Sequence, residues 1–362
     1  MHVTELTLKD FRNYHSQTLR FSEGTNMIYG KNAQGKTNIL EAVYMFSQGK
    51  SHRARTDKEI IRFGCQCAKT AVAFETAERS FKAAMRLTRD GKKSITINNV
   101  RIKKLSMLMN YLNTVMFSPE DLSLVKGSPS VRRRFADLAI SQLFPKYLTS
   151  LIDYSKALTQ KNSLLKELKR SGARSDVMLS VWNERLAAEG VKIMRRRAEF
   201  LERLGVIASG IQKEISGETL ETEYAHGIKL PELSEAAFFE ALEKAQAREI
   251  DAQSAIYGIQ RDDLIIRVNG NDAKTFASQG QQRTAALTLK IALSDYIYSI
   301  KDEYPVLLLD DIMSELDKPR RLYLAEKIKN KQVLITSADT DILKSTADTK
   351  LFYVENGTVT ER

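Results

Sequence analysis

The stretch Met27-Ile28-Tyr29-Gly30-Lys31-Asn32-Ala33-Gln34-Gly35-Lys36-Thr37-Asn38 restricts the possible folds more than any other part of the chain. Gly30, Gly35, Lys36 and Thr37 fit the pattern G-x-x-x-x-G-K-[ST], and the flanks fit too. A short apolar strand, Asn26 to Tyr29, precedes the loop, and the apolar spacing of Ile39 to Phe46 behind it suits a buried helix. Strand, loop and helix in that order open an α/β sheet. The two glycines let the backbone curl so that N–H groups point inward, and a helix starting near Lys36 adds its positive end. Residues 30–37 (Gly30, Lys31, Asn32, Ala33, Gln34, Gly35, Lys36 and Thr37) therefore form a cradle for a polyphosphate such as that of ATP. Lys36 reaches the β- and γ-phosphates, and the Thr37 hydroxyl takes a place on Mg²⁺. A glycine turn that merely precedes a helix is the competing reading.

With 362 residues, 43% of them hydrophobic, the chain is long enough for one large domain or two and buries a sizeable core. No run approaches the roughly 18 apolar residues of a membrane span, and Met1-His2-Val3-Thr4-Glu5 lacks a basic region followed by an apolar one, so a cytoplasmic location is expected. Two cysteines, Cys65 and Cys67, are too few for a disulfide framework, and the four histidines are scattered. Charge is more informative: 56 Lys and Arg against 45 Asp and Glu leave +11, which points to a polyanion such as nucleic acid. A basic surface without a ligand explains the same number. Clusters occur at residues 50–55, at Arg132-Arg133-Arg134 and at Arg195-Arg196-Arg197.

Alternating residues in Met1 to Leu8 and Gln17 to Phe21 predict two strands ahead of the loop. Behind its helix, the connector Ser47 to Arg55 carries His52 and Arg53, which are placed to approach the nucleotide. Thr70 to Phe74, Phe81 to Leu87 and Ser94 to Ile97 read as an antiparallel layer, with Asp90-Gly91 as a hairpin turn. Lys103 to Leu112 reads as a helix and Thr114 to Phe117 as a buried strand. Between Pro129 and Gly217 apolar residues recur at helical intervals, interrupted at 171–176, which predicts two long helices folded back on each other and a shorter one. The stretch is too short for a long coiled coil. Strand and helix patterns after it restore the α/β character, so the chain reads as a discontinuous head, 1–117 and 218–362, split by a helical insert at 118–217.

Two further motifs lie in the later part. In Pro305-Val306-Leu307-Leu308-Leu309-Asp310-Asp311 four apolar residues form a strand buried on both faces, with an acidic pair emerging where ligands bind in parallel sheets. Asp310 would hold Mg²⁺ through water, and Asp311 would orient the water that attacks the γ-phosphate. In Ala277-Ser278-Gln279-Gly280-Gln281-Gln282, Ser278 and Gly280 stand where they cap a helix, leaving donors for an anion; an ordinary N-cap has the same pattern.

The order of these parts, followed by Ser314-Glu315-Leu316-Asp317, resembles the ATPase heads of the ABC and SMC class. Within that class Ser51-His52-Arg53, the run 117–134 and Arg261-Asp262-Asp263 look like the RecF family of bacterial recombination-repair ATPases. The resemblance spans about residues 1–340. It implies an ABC/SMC-type P-loop head with an antiparallel β layer and a helical insert, binding ATP and Mg²⁺ and closing as an ATP-dependent homodimer. In that class Ser278, Gly280 and Gln281 would meet the γ-phosphate bound by the other subunit, and Asp317 would lie at the seam. It further implies binding to single-stranded or gapped duplex DNA, RecR and RecO-like partners, and help in loading recombinase during repair and replication-fork maintenance. Arg132 to Arg134 and Arg195 to Arg197 are the candidate DNA contacts.

The chain also departs from the class. Asp311 replaces the usual glutamate, one methylene longer, so slow hydrolysis is expected. Thr336-Ser337-Ala338 stands where a switch histidine is usual, and Gln48 is the sole candidate for a lid glutamine. An ABC-class ATPase powering transport or another mechanical process is the alternative reading. A nuclease finds no separate acidic cluster to support it.

Overall fold

The computed structural model describes residues 1–338 and 349–362. They form two compact units: Met1–Asp121 with Glu214–Gly217 and Ala286–Arg362, and Leu122–Lys213 with Glu218–Ala285.

The first unit opens with β1 (His2–Phe11) and β2 (Tyr14–Arg20), joined by a tight turn in which Arg12 takes a φ of 53°. β3 (Thr25–Tyr29) leaves for another sheet, while β4 (Cys67–Glu75), β5 (Ser80–Thr88), β6 (Lys93–Ile97) and β7 (Val100–Arg101) complete the first. Its order is β2-β1-β4-β5-β6-β7, antiparallel throughout. Val3 and Leu6, three positions apart, would face opposite sides of a regular strand, yet both are fully buried in one core. A bulge resolves the conflict: the ladder to β4 slips between Val3 and Glu5. Gly91 makes the expected left-handed turn at φ 86°, and Asn98-Asn99, both at positive φ, make a second two-residue turn. Lys103 to Leu112, expected as a helix, forms only the single turn Leu105–Leu108.

The second sheet of this unit begins with β3 and β8 (Thr114–Phe117). β9 (Leu220–Ala225), β10 (Asp263–Val268) and β11 (Asn271–Asp272) fall in the other unit; β12 (Val306–Asp310), β13 (Val333–Ser337), β14 (Thr349–Glu355) and β15 (Thr358–Glu361) complete this one. The order is β15-β14-β3-β13-β12-β8, parallel except for the edge strand β15. β8, β12 and β13 are buried along their whole length, which explains their uninterrupted apolar runs. α1 (Lys36–Gln48) is buried from Ile39 to Gln48 and ends at Gly49, whose φ of 70° lets its N–H reach the Met45 carbonyl. Ile39, Val43 and Phe46 share one apolar core with Leu6 and Phe11 of the antiparallel sheet and Ile28, Leu308 and Leu334 of the parallel one.

The second unit holds α2 (Pro129–Leu143), α3 (Pro145–Ser171) and α4 (Val177–Ser216). Gly172 at φ 76° ends α3, and α3 and α4 run antiparallel as expected: Tyr154 lies against Gly190, while Leu165 shares a cluster with Leu179. Residues 218–285, expected with the head, pack here instead, because β9, β10 and β11 pair only with one another among the described residues. α5 (Glu235–Ala252) starts at Ser234, whose hydroxyl accepts from Ala237 N. It presents Glu249 to Lys161 of α3 at 2.6 Å, both side chains fully buried.

The arginine triplets, expected as DNA contacts, are largely committed inside this unit. Arg132 grips Asp263 with two hydrogen bonds, at 2.7 and 2.8 Å. Arg197 is 2% exposed and bonds both oxygens of Asp137, one oxygen of Asp262 and the Ile259 carbonyl. Consecutive arginines on a helix point in different directions, so burying one leaves its neighbours outside; Arg134 and Arg195 are exposed. Arg261-Asp262-Asp263 thus supplies the carboxylates that neutralise buried guanidinium groups.

Candidate nucleotide site

In the first unit the loop between β3 and α1 stands at the carboxyl end of the parallel sheet. Gly30 (φ 147°), Ala33 (φ 64°) and Gly35 (φ 108°) bend it. A Cβ on Gly30 would lie 2.3 Å from the Val354 carbonyl oxygen, and one on Gly35 within 2.6 Å of both Asn13 amide atoms, so neither position accepts a larger residue. The loop is held from outside as well. Asn13 Nδ2 donates to the Gln34 carbonyl (2.7 Å), the Tyr14 hydroxyl to the Gly35 carbonyl (3.0 Å), and Asn356 N to Gln34 Oε1 (2.6 Å). Lys36, 8% exposed, donates from Nζ to the carbonyls of Gly30 (2.6 Å) and Lys31 (2.9 Å). Burial draws its ammonium below the ordinary lysine range, against the opposing pull of Asp311 and Asp310.

Asp310, at the end of β12, faces this loop. Its Oδ1 accepts from Thr37 Oγ1 at 2.8 Å and from Thr336 Oγ1 of β13 at 2.7 Å. Thr336 also accepts the Asp311 N–H at 3.0 Å, so one hydroxyl orients both acids. Asp311 is held in the left-handed region at φ 51°. The Thr37–Asp310 pair fits Mg²⁺. Their hard oxygen donors, 2.8 Å apart, suit an Mg²⁺ that keeps several waters. Among the described residues no group of three or more His, Cys, Asp or Glu could hold a metal ion.

Beneath the loop, Glu41 of α1 is fully buried and receives Arg12 Nε (2.9 Å) and Nη2 (2.6 Å), along with the Ser51 hydroxyl. Burial works to raise its pKa, but Arg12 and Ser51 outweigh it and hold the carboxyl below its usual range. Ser51 also accepts the N–H groups of Arg53 and Ala54, which fixes the connector after α1. His52 packs edge-on to Tyr44 with ring centroids 5.1 Å apart; burial lowers its pKa, opposed by Glu41 and Asp310. Gln48 does not share this position. Ser47 bonds Thr114 at 2.6 Å, and Thr114 is level with Val306 at the start of β12, so Gln48 lies at the amino ends of the strands, away from Asp310.

Ser278, Gly280 and Gln281 belong to the second unit, at the start of α6 (Gln279–Lys301). They form a capping box: Ser278 N donates to Gln281 Oε1 at 2.7 Å and Gln281 N to Ser278 Oγ at 3.2 Å. In that role Ser278 Oγ is an acceptor, and its O–H stays available as a donor. Gln281 Nε2 is held by Glu218 at 2.6 Å. Asp317 caps α7 (Lys318–Lys327), accepting from Arg320 N at 3.1 Å.

The structure therefore brings residues 30–37 together with Asp310 and Asp311, and adds Arg12, Asn13, Tyr14, Glu41 and Thr336, which sequence reasoning missed. An arginine and an asparagine in a hairpin turn carry no local mark of their target. Thr336 stood out only as one of the three residues, Thr336-Ser337-Ala338, where a switch histidine is usual.

Known proteins identify the family. The profile of the RecF/RecN/SMC N-terminal domain matches residues 2–360. The DNA replication and repair protein RecF of Bacillus cereus strain G9842 is 40% identical over 99% of this chain and 98% of its own, and that of Bacillus mycoides strain KBAB4 aligns equally well. A solved structure of the recombination mediator protein RecF with ATP, from the RecFOR pathway, superposes with a TM-score of 0.94 at 34% identity, covering all of this chain and 97% of that one. An Smc head from Pyrococcus furiosus, 19% identical with a TM-score of 0.59, shares the fold. The chain belongs to the RecF/RecN/SMC family and, within it, to the RecF proteins.

Proposed function

We propose that this chain is an ATP-gated DNA-binding protein of recombinational repair that dimerises around two nucleotides and hydrolyses ATP slowly. The observation that carries the reading is the meeting of Lys36, Thr37, Asp310 and Asp311 at one sheet edge, with Thr336 bonded to both acids. Relatives named for DNA replication and repair, and a RecF structure with ATP, support it.

Residues 30–37 would wrap the phosphates with backbone N–H groups, and Lys36 would exchange its loop carbonyls for β- and γ-phosphate oxygens. Thr37 and Asp310 would hold Mg²⁺, which supplies charge neutralisation between the phosphates. Asp311 would orient the attacking water; being shorter than glutamate, it stands farther from that water, consistent with slow turnover. From the other copy, the Ser278 hydroxyl and the N–H groups at the start of α6 near Gly280 and Gln281 would meet the γ-phosphate. ATP then favours the closed dimer, and loss of the γ-phosphate removes the differential contact. DNA, single-stranded or gapped duplex, would be held through phosphates by exposed cations such as Arg134 and Arg195. RecR and RecO-like proteins are the expected partners in loading recombinase.

The test is fluorescence anisotropy of a labelled gapped duplex titrated with the protein at several salt concentrations, with ATP, ADP or neither. Salt-sensitive binding that requires ATP, and is lost in Lys36→Ala, is the expected result. Binding indifferent to nucleotide would refute the gate.

A further inference from the structure

His52 has no part in the mechanism above, yet the fold sets it among the acids of the nucleotide site and fixes it there. Ser51, itself buried, accepts the N–H groups of Arg53 and Ala54 at 2.9 and 2.8 Å, so the backbone that carries His52 is closed into a turn. Tyr44, also buried, packs against its ring. The charged groups that act on the imidazole are Glu41, Asp310, Arg53 and Glu120. Among the described residues, His52 Nδ1 is buried with no hydrogen-bond partner. Asp310, which accepts the Thr37 and Thr336 hydroxyls on Oδ1, accepts nothing on Oδ2. Glu41 is already taken, since Arg12 binds both of its oxygens and Ser51 one of them. An orphaned buried nitrogen is costly and rare in native proteins, so this one calls for a partner.

We propose that His52 Nδ1 and Asp310 Oδ2 together hold a water of the Mg²⁺ shell, which makes His52 a positioning residue for the metal. The proposal rests on the reading above, in which Thr37 and Asp310 hold the ion. Mg²⁺ gives up its waters reluctantly, so a site for it needs acceptors for water hydrogens as well as oxygen ligands. A carboxylate oxygen and a neutral imidazole nitrogen are both acceptors, and burial favours the neutral ring. Groups that orient the ligands of a metal fix its position, and losing one typically weakens metal binding about 10–100-fold.

Calorimetric affinity for the non-hydrolysable analogue AMP-PNP, in Mg²⁺ and in EDTA, tests it on wild type, His52→Phe, His52→Asn and His52→Gln, alongside urea unfolding of each nucleotide-free protein. Phenylalanine keeps a ring against Tyr44 and removes both nitrogens. We expect His52→Phe to reduce the gain in affinity brought by Mg²⁺ about tenfold or more, while affinity in EDTA and the urea midpoint stay at wild-type values. His52→Asn, whose amide reaches the position of Nδ1, should recover most of the gain; His52→Gln, whose amide reaches that of Nε2, should not. A His52→Phe protein with the full Mg²⁺ gain overturns this proposal alone and leaves the nitrogen to a structural water. So does a His52→Phe protein that loses affinity in EDTA and unfolds earlier, which would make the ring a packing group, and so does recovery by His52→Gln in place of His52→Asn. A wild type that binds equally well in Mg²⁺ and in EDTA overturns the metal reading and this proposal with it.

Discussion

Thr336→Val exchanges a hydroxyl for a methyl group of the same shape at a side chain that is 1% exposed, so packing is preserved and only hydrogen bonding changes. Beyond a long contact to the Leu309 carbonyl at 3.5 Å, its two closer bonds disappear: the donation to the Asp310 carboxylate at 2.7 Å and the acceptance of the Asp311 N–H at 3.0 Å. A bond to a charged group is worth about 1.5–3 kcal/mol, and an orphaned buried donor costs about 1–3 kcal/mol. Both share one hydroxyl and are not fully additive, so the lower ends set the expectation: the first unit loses about 2.5 kcal/mol of stability. Its function should suffer differently from its binding. Lys36 and the loop are untouched, so ATP affinity is retained, whereas Asp310 and Asp311 lose their common orienting group and hydrolysis slows by about tenfold for each 1.4 kcal/mol of misplacement. Urea unfolding followed by circular dichroism, with ATP binding and turnover measured separately, reads both effects. Thr336→Ser, which keeps the hydroxyl, should restore turnover. A Thr336→Val protein with wild-type unfolding and wild-type turnover would refute the assignment of Thr336 as the group that orders the acids.

Two more outcomes follow from buried charge. Glu41 is held below the usual glutamate range, so its contribution is complete above about pH 4.3 and is lost as pH falls through the lower folded value. Glu41→Gln should cost about 1.5–3 kcal/mol at neutral pH and flatten the loss of stability in acid; an unchanged acid slope in urea titrations would contradict the Arg12–Glu41 account. Lys161→Met leaves Glu249 buried without its cation and should cost about 3–5 kcal/mol, whereas Lys161→Met with Glu249→Leu should recover most of that. Trp182 emission during unfolding reports on this unit, and a double variant no better than the single one would show that the two charges are not coupled.

What was legible in the sequence was local. The glycine spacing, the apolar run before Asp310-Asp311 and the turn at Asp90-Gly91 each contain, within a few residues, the geometry they specify. What was not legible depended on partners far along the chain. Arg132 and Arg197 read as a basic surface because nothing beside them says that Asp263, Asp137 and Asp262 will meet them. The strands of residues 218–285 were recognisable as strands but not as a sheet of their own, since a strand pattern does not name its neighbour. Gln48 was in range by sequence and out of range in space, because α1 carries it along the sheet away from the acids. At the β14–β15 hairpin, by contrast, Asn356-Gly357, at φ 48° and 71°, is a strong local turn signal.

The position of β3 bears on how the protein is made. Its neighbours are β13 and β14, and Gln34 of the loop that follows it is tied to Asn356, 322 positions away. At about 5–20 residues per second, synthesis leaves β3 waiting roughly 15–60 s for the strands that flank it. Throughout that interval both of its edges lack their final partners and invite pairing with other chains. A ribosome-bound fragment therefore cannot complete the phosphate cradle, and acquisition of nucleotide binding reports that translation of the whole fold has finished.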